Sequence, residues 1–216
     1  MDDINNPGIF KGGYDGLKFQ TKYGIIEHQC ILDTLQLFED LLKDVKNGTF
    51  VEIGVLGGIT LLHTYDICEK NAIRVYGIDP FENIELYNGL NGSQLPDPSI
   101  PEEVREKQLS NRTTLEGIIR DHKLKIDLII GTSWENHERF EEGSIDLLHI
   151  DGDHSYDGVR KDIDLFWPKM KKGGTVVFDD YNWPSVSKAV DDFVRENGIP
   201  VESCRQFVYK FILTKN

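Results

Sequence analysis

Residues 144–181 read SIDLLHIDGDHSYDGVRKDIDLFWPKMKKGGTVVFDDY, and two similar half-units in this stretch decide the fold. In the first, Ile145–Ile150 is an apolar run of strand length that stops at Asp151, followed by Gly152, Asp153 and His154. In the second, Thr175–Phe178 is a β-rich run launched from a turn at Lys171-Lys172-Gly173-Gly174, and it stops at Asp179 and Asp180. Between them Val159, Ile163, Leu165, Phe166 and Met170 mark approximately one face of a helix until Pro168 interrupts it. Strand, helix, strand is a parallel crossover unit. Neighbouring parallel strands lie about 4.8 Å apart, so direct pairing of these two brings three carboxylates to one end of the sheet. That is the end at which open α/β sheets bind their ligands.

Three converging carboxylates repel one another, and without a cation one of them takes up a proton. A divalent metal resolves the conflict. Oxygen-only ligation by Asp151, Asp179 and Asp180 suits a hard cation, magnesium above all, with manganese or calcium as alternatives. The plain alternative is that these acids are solvated loop residues of an acidic chain. A calcium loop of the EF-hand type is excluded, since its sixth position requires glycine and holds Tyr156.

Composition narrows the class. The 216 residues fit one domain with an ordinary core, 39% of them hydrophobic. A formal net charge of −13 argues against nucleic acid or an anionic membrane as partner. No apolar run approaches the ~20 residues that span a bilayer, and the N-terminal residues lack the pattern of a signal peptide, so a cytoplasmic protein is expected. Cys30, Cys68 and Cys204 form no CxxC and read as reduced thiols.

Taken in order, residues 1–23 form an arm rich in Asn, Gly and Asp, of a kind that often serves a homo-oligomer. From Gly24 to Val45 apolar residues recur at helical spacing, and Asn47-Gly48 closes the helix; Glu27 and His28 near its start read as surface residues. Thr49–Val55 is a strand running into Gly54, Gly57 and Gly58 and then a helix. Such a loop presents free N–H groups and the positive end of a helix dipole. Its spacing is E-x-G-x-x-x-G, with Leu56 where a dinucleotide loop needs its second glycine. The next strand ends at Asp79, placed to accept hydrogen bonds from ribose hydroxyls. The segment 81–101 is rich in Asn, Gly, Ser and Pro and reads as a substrate lid. A helix follows, then the strand KIDLIIG leading to Ser133 and Trp134, which could hold and cover an adenine. His149, inside its strand, reads as a buried structural histidine. Two short C-terminal strands joined by a turn close the sheet antiparallel.

These motifs together resemble class I S-adenosylmethionine-dependent methyltransferases, of the small metal-dependent O-methyltransferase kind and its macrocin O-methyltransferase-like branch. VEIGVLGGIT resembles that family's first cofactor motif, YGID its second, and D-G-D-H-S-Y with F-D-D its metal-bearing region. The resemblance implies an α/β, Rossmann-like doubly wound, mostly parallel sheet with an antiparallel C-terminal strand and helices on both faces. It makes Asp151, Asp179 and Asp180 metal ligands and His154 the general base. It places Glu52, Gly54 and Gly58 around the methionine part of the cofactor, with Thr60 and Asp151 among its contacts, Asp79 on the ribose, and Ser133 with Trp134 near the adenine. Catechol-type relatives carry Asn where this chain has Asp180.

The chemistry agrees. In-line methyl transfer from a sulfonium needs a nearly deprotonated acceptor oxygen, which a metal and a base supply. The implied acceptor is a small-molecule hydroxyl on a sugar or other vicinal diol. The competing readings are an NAD-dependent oxidoreductase, disfavoured by the missing middle glycine, and an inactive binding protein of the same fold.

Overall fold

A computed structural model of the chain describes residues 17–21, 24–28, 32–81 and 102–216. The first two of these segments are strands β1 (Leu17–Thr21) and β2 (Gly24–His28), which pair antiparallel as a separate two-stranded sheet. This corrects two expectations: residues 17–21 are not loose arm, and the helix does not start near Gly24. It starts at Leu32, as α1 (Leu32–Leu42). The Gly24-Ile25-Ile26 run satisfies a strand's needs as well as a helix's, because periodicity over so short a run does not separate the two. The rest of the expected arm, and the expected lid beyond Phe81, lie outside the described residues.

The main sheet follows the β-α-β pattern read from the sequence. Its strands are β3 (Thr49–Ile53), β4 (Arg74–Asp79), β5 (Ile126–Ile130), β6 (Ile145–Ile150), β7 (Met170–Phe178), β8 (Cys204–Phe207) and β9 (Lys210–Thr214). The helices between them are α2 (Ile59–Lys70), α3 (Glu102–His122), the single turn α4 (Ser133–Asn136), α5 (Tyr156–Phe166) and α6 (Pro184–Glu196). Strand order is β5-β4-β3-β6-β7-β9-β8. The pairs from β5 to β7 are parallel, and β9 runs antiparallel to both β7 and β8. The expected Rossmann-like, mostly parallel sheet with an antiparallel C-terminal end is therefore the observed fold.

Alternation of side chains along the strands builds a core on each face. Phe50 and Leu147 point with Phe38, Leu42, Leu61 and Leu115 from α1, α2 and α3. Val51, Ile53, Leu148 and Ile150 point the other way, against Val159, Ile163 and Phe166 of α5 and Val186, Val190 and Phe193 of α6. The apolar stripe of α5 is the one legible in the sequence, and Ser155 caps it by accepting a hydrogen bond from the Gly158 N–H at 3.0 Å. The expected turn at 171–174 is instead absorbed into β7. Ile145 pairs with Met170 and Leu147 with Thr175, so the extra residues bulge out of the ladder.

The direction of strand addition reverses between β3 and β6, which opens the crevice where such sheets bind ligands. The loops after β3, β6 and β7 are fixed by ladder bonds continuing one residue past the strands. Gly54 N–H donates to Ile78 O at 2.9 Å, Asp151 N–H to Ile53 O at 2.8 Å and Asp179 N–H to Ile150 O at 3.0 Å. Gly54, at φ 84°, passes so close to Asp151 that a Cβ there would lie 1.9 Å from the Asp151 carbonyl oxygen. Gly143, at φ 64°, has nothing within 4 Å of such a Cβ. Urea unfolding should therefore show Gly54→Ala losing clearly more stability than Gly143→Ala, which carries only the about 1–2 kcal/mol of a left-handed backbone. Equal losses would mean the two loops are not in backbone contact.

Candidate active site

Asp151, Asp179 and Asp180 leave the sheet together at the ends of β6 and β7, as the sequence predicts, but they do not form one carboxylate set. Two groups of ligand-type atoms, each within 4.8 Å, share Asp151: His149, Asp151 and Asp179 make one, and Asp151, His154 and Asp180 the other.

The inner group belongs to a row of charges on the α1 face of the sheet. Glu52 on β3 stands opposite His149 on β6, and His149 Nδ1–H donates to Glu52 Oε1 at 2.8 Å. Nε2 of His149 lies 3.5 Å from Asp179 Oδ2, without hydrogen-bond geometry. Asp179 in turn takes a short contact from the ammonium of Lys210, the first residue of β9. The Glu52, His149 and Lys210 side chains are all under 5% exposed. Burial disfavours charge on His149, but Asp179 and Glu52 outweigh it and lift the imidazole to about 9. Burial also works against the Asp179 charge, yet His149 and Lys210 hold its carboxyl well below the usual range.

The outer group faces the crevice. Nε2 of His154 lies 3.0 Å from Asp180 Oδ2 and 3.5 Å from Asp151 Oδ1, again without a hydrogen bond among the described residues. The ring packs against Trp183, 5.0 Å between centroids, and the His154 carbonyl accepts from Ser185 Oγ at 2.6 Å. Asp180 sits in the left-handed region at φ 48°, a conformation that Asp tolerates better than most residues and that costs on the order of 1–3 kcal/mol. Burial opposes a proton charge on His154, but the two carboxylates raise it to about 10. Asp151 is pushed up to about 6, by burial first and then by the Asp179 charge.

The glycine loop is arranged differently from the sequence reading. Gly54, Leu56 and Gly58 all have positive φ, and a Cβ on Gly58 would meet Leu115 of α3 at 2.7 Å. Asp79, 7% exposed, turns its carboxylate inward. Its Oδ2 accepts from the N–H groups of Val55 at 2.7 Å and Leu56 at 2.9 Å, and its Oδ1 from Phe81 at 2.6 Å. The expected ribose acceptor thus holds the loop in shape. Glu52 and Thr60 are buried, the latter in the first turn of α2. Glu27 and His28 lie on β2, away from the helix they were expected to start.

At the end of β5, Thr132 and Glu135 form a capping box around α4, which orients Ser133 and Trp134. Trp134 carries the Lys161 ammonium 3.5 Å from its ring centre. Ser133 donates to Asp162 of α5, a buried acid absent from the sequence reading. Its signal was a lone acid inside the apolar stripe Val159, Ile163, Phe166. Lys210 was equally missed; its signal was a lysine opening the apolar strand KFILT. Cys68 and Cys204 are free thiols, as expected, and no described helix is long and apolar enough to cross a membrane.

Residues 51–181, more than half of the chain, match the family described as "Methyltransferase domain". The chain belongs to this methyltransferase family. Among solved structures it is similar to the O-methyltransferase NovP, with a TM-score of 0.61 at 18% identity over 88% of this chain and 83% of that one. It is also similar to CalS11, a TDP-rhamnose 3′-O-methyltransferase of calicheamicin biosynthesis, with a TM-score of 0.53 at 17% identity over 85% and 77%. A 71-residue segment, 31% of the chain, is 41% identical to "Uncharacterized protein R132" of Acanthamoeba polyphaga mimivirus, and covers 30% of that protein's length.

Asp162 gives this end of the sheet a pH signature. Burial, aided by the charge of Asp153 and opposed by the Ser133 bond, raises its carboxyl to about 7. The unfolded chain releases this proton near pH 4, so the folded state binds more protons between the two values and loses stability as pH rises from 4 to 7. Asp162→Asn has no proton to release. Thermal melts should show the variant gaining on the parent as pH rises from 5 to 8; parallel melting curves would rule the account out.

Proposed function

We propose that the protein transfers a methyl group from S-adenosylmethionine to a hydroxyl of a small molecule carrying a vicinal diol, a sugar being the leading class, with help from a divalent cation. The backbone contact between the Gly54 loop and Asp151 carries this reading. It sets a helix N-terminus and glycine loop, suited to an amino-acid carboxylate, directly beside the acidic cluster that would receive the acceptor. The family membership supports the reaction class. The titles of NovP and CalS11 support oxygen as acceptor, and that of CalS11 a sugar.

The residues present fit a divalent cation of the magnesium type. Such ions take one or two protein carboxylates and keep positions for water and substrate, and the strand-end acids Asp151, Asp179 and Asp180 offer that chemistry. Burial, and then the neighbouring Asp179 charge, raise the Asp151 carboxyl to about 6, so a cation beside it would be favourable. When bound, the cation would supply Lewis acidity to the acceptor hydroxyl.

His154 is the proposed base. Beside free carboxylates it holds its own proton at neutral pH and cannot accept another. Asp151 and Asp180 would hold the cation, and with their charge so engaged they would no longer retain the proton on His154, whose neutral imidazole could then act as base. Trp183 and Ser185 fix the ring and its backbone. Asp79, Ser133 and Trp134 remain the proposed ribose and adenine contacts.

Two measurements test the proposal. Calorimetry should detect binding of S-adenosylmethionine or its demethylated product and none of NAD; the reverse preference would sink the assignment. Methylation of a diol substrate should stop in excess chelator and return with magnesium, and undiminished turnover in chelator would refute the metal.

For the base, His154→Ala should lower the maximal rate by about a hundred- to ten-thousandfold with little change in Michaelis constants. The parent rate should rise with pH through one ionisation, because only neutral imidazole accepts a proton, and that limb should be absent from the variant. Full rescue of the variant by added magnesium would instead make His154 a support of the metal site.

A further inference from the structure

The acidic cluster is divided by a cation of the chain itself. Lys210 is 3% exposed and reaches Asp179 from β9, whose Phe211 pairs with Phe178, the last residue of β7. Phe38 of α1 covers the ammonium, with the ring centre 5.6 Å away. Asp179 Oδ1 is engaged as well, accepting from the Asp180 N–H at 2.8 Å. Both carboxylate oxygens of Asp179 therefore have donors, and the partner on Oδ2 is a buried positive charge that would repel a metal ion. Among the described residues Asp151 and Asp180 face no lysine or arginine; their cationic neighbours there are His154, through an Nε2 that makes no hydrogen bond, and, for Asp151, His149.

We infer that Lys210 is the resident cation of Asp179, and that the metal's protein ligands are Asp151 and Asp180 with Asp179 excluded. The inference rests on the metal-dependent reading above and narrows its ligand set. Lys210 then neutralises Asp179, whose Oδ1 accepts the Asp180 backbone N–H, a bond that an asparagine carbonyl at this position would keep. Two protein carboxylates leave the remaining positions of an octahedral cation to water and to the two oxygens of a diol.

The test is Mn²⁺ binding to the whole protein, read by calorimetry and by the loss of the free-ion paramagnetic resonance signal. The informative variant is the double exchange Asp179→Asn with Lys210→Met. It removes both charges, so net charge is unchanged and no buried charge is left unpaired; a thermal melt checks the fold. The double variant should keep its Mn²⁺ dissociation constant within about threefold, whereas Asp180→Asn should weaken it by about tenfold or more, at least the cost of disturbing a metal's supporting shell. Equal weakening by the two would overturn the exclusion of Asp179. Failure of the parent to bind Mn²⁺, with binding by Lys210→Met, would refute the metal reading while upholding the pairing of Lys210 with Asp179. No binding by either would refute the metal reading and, with it, the ligand set inferred from it.

Discussion

A row of charges across four adjacent strands, all buried except the partly exposed Asp179, ties the site to the sheet: Glu52 on β3, His149 on β6, Asp179 after β7 and Lys210 on β9. An isolated charge in such surroundings is expensive, and removing one partner of a buried pair typically costs about 3–5 kcal/mol. Each member is therefore tolerable only because its neighbour arrives from the next strand at the right register. This makes strand order a chemical requirement. Inserting β9 antiparallel between β7 and β8 delivers Lys210 to the ligand-binding end, where β9 begins and β7 finishes. The C-terminal hairpin is thus part of the site's electrostatics, and Tyr181 N–H bonds it again through the Tyr209 carbonyl at 2.7 Å.

A second constraint is the close approach of two backbones at the reversal of strand order. The Gly54 loop has left-handed residues at alternate positions, including Leu56, for which that conformation is unfavourable. Asp79 offsets this by accepting three backbone N–H groups from the loops after β3 and β4. A loop held in this way is preorganised: its shape is fixed by the protein's own carboxylate before any ligand arrives, which lowers the ordering cost of binding.

The sequence showed those parts of the site that lie at ends of strongly patterned strands. Asp151, Asp179 and Asp180 were legible because apolar runs of strand length stop at them, and the crossover rule then put them side by side. His149 was legible as buried because it interrupts such a run. What stayed hidden depended on pairing between distant segments. Lys210 follows Asp179 by 31 residues, and nothing local in KFILT says which strand it joins or in which direction. Asp79 was placed correctly at its strand end, but the inward turn of its carboxylate depends on loop donors that no side-chain pattern reveals. The β1–β2 hairpin was misread as the start of a helix because a short apolar run carries little periodicity, and the pairing partner decides its form.

The charge balance at the strand ends also bears on the proposed reaction. Methyl transfer from a sulfonium to an oxygen nucleophile destroys charge, so carboxylates gathered around the sulfonium stabilise the ground state more than the transition state and would slow the step. Glu52, Asp151, Asp179 and Asp180 taken alone would do this strongly in a chain whose net charge is already −13. Lys210 and His149 cancel most of the inner pair's field from within the sheet, where water screens little. His154 lies between the remaining two carboxylates and the crevice. The acids can then be present in the number that cation and proton handling require without acting as a counter-ion that holds the methyl donor in its charged state.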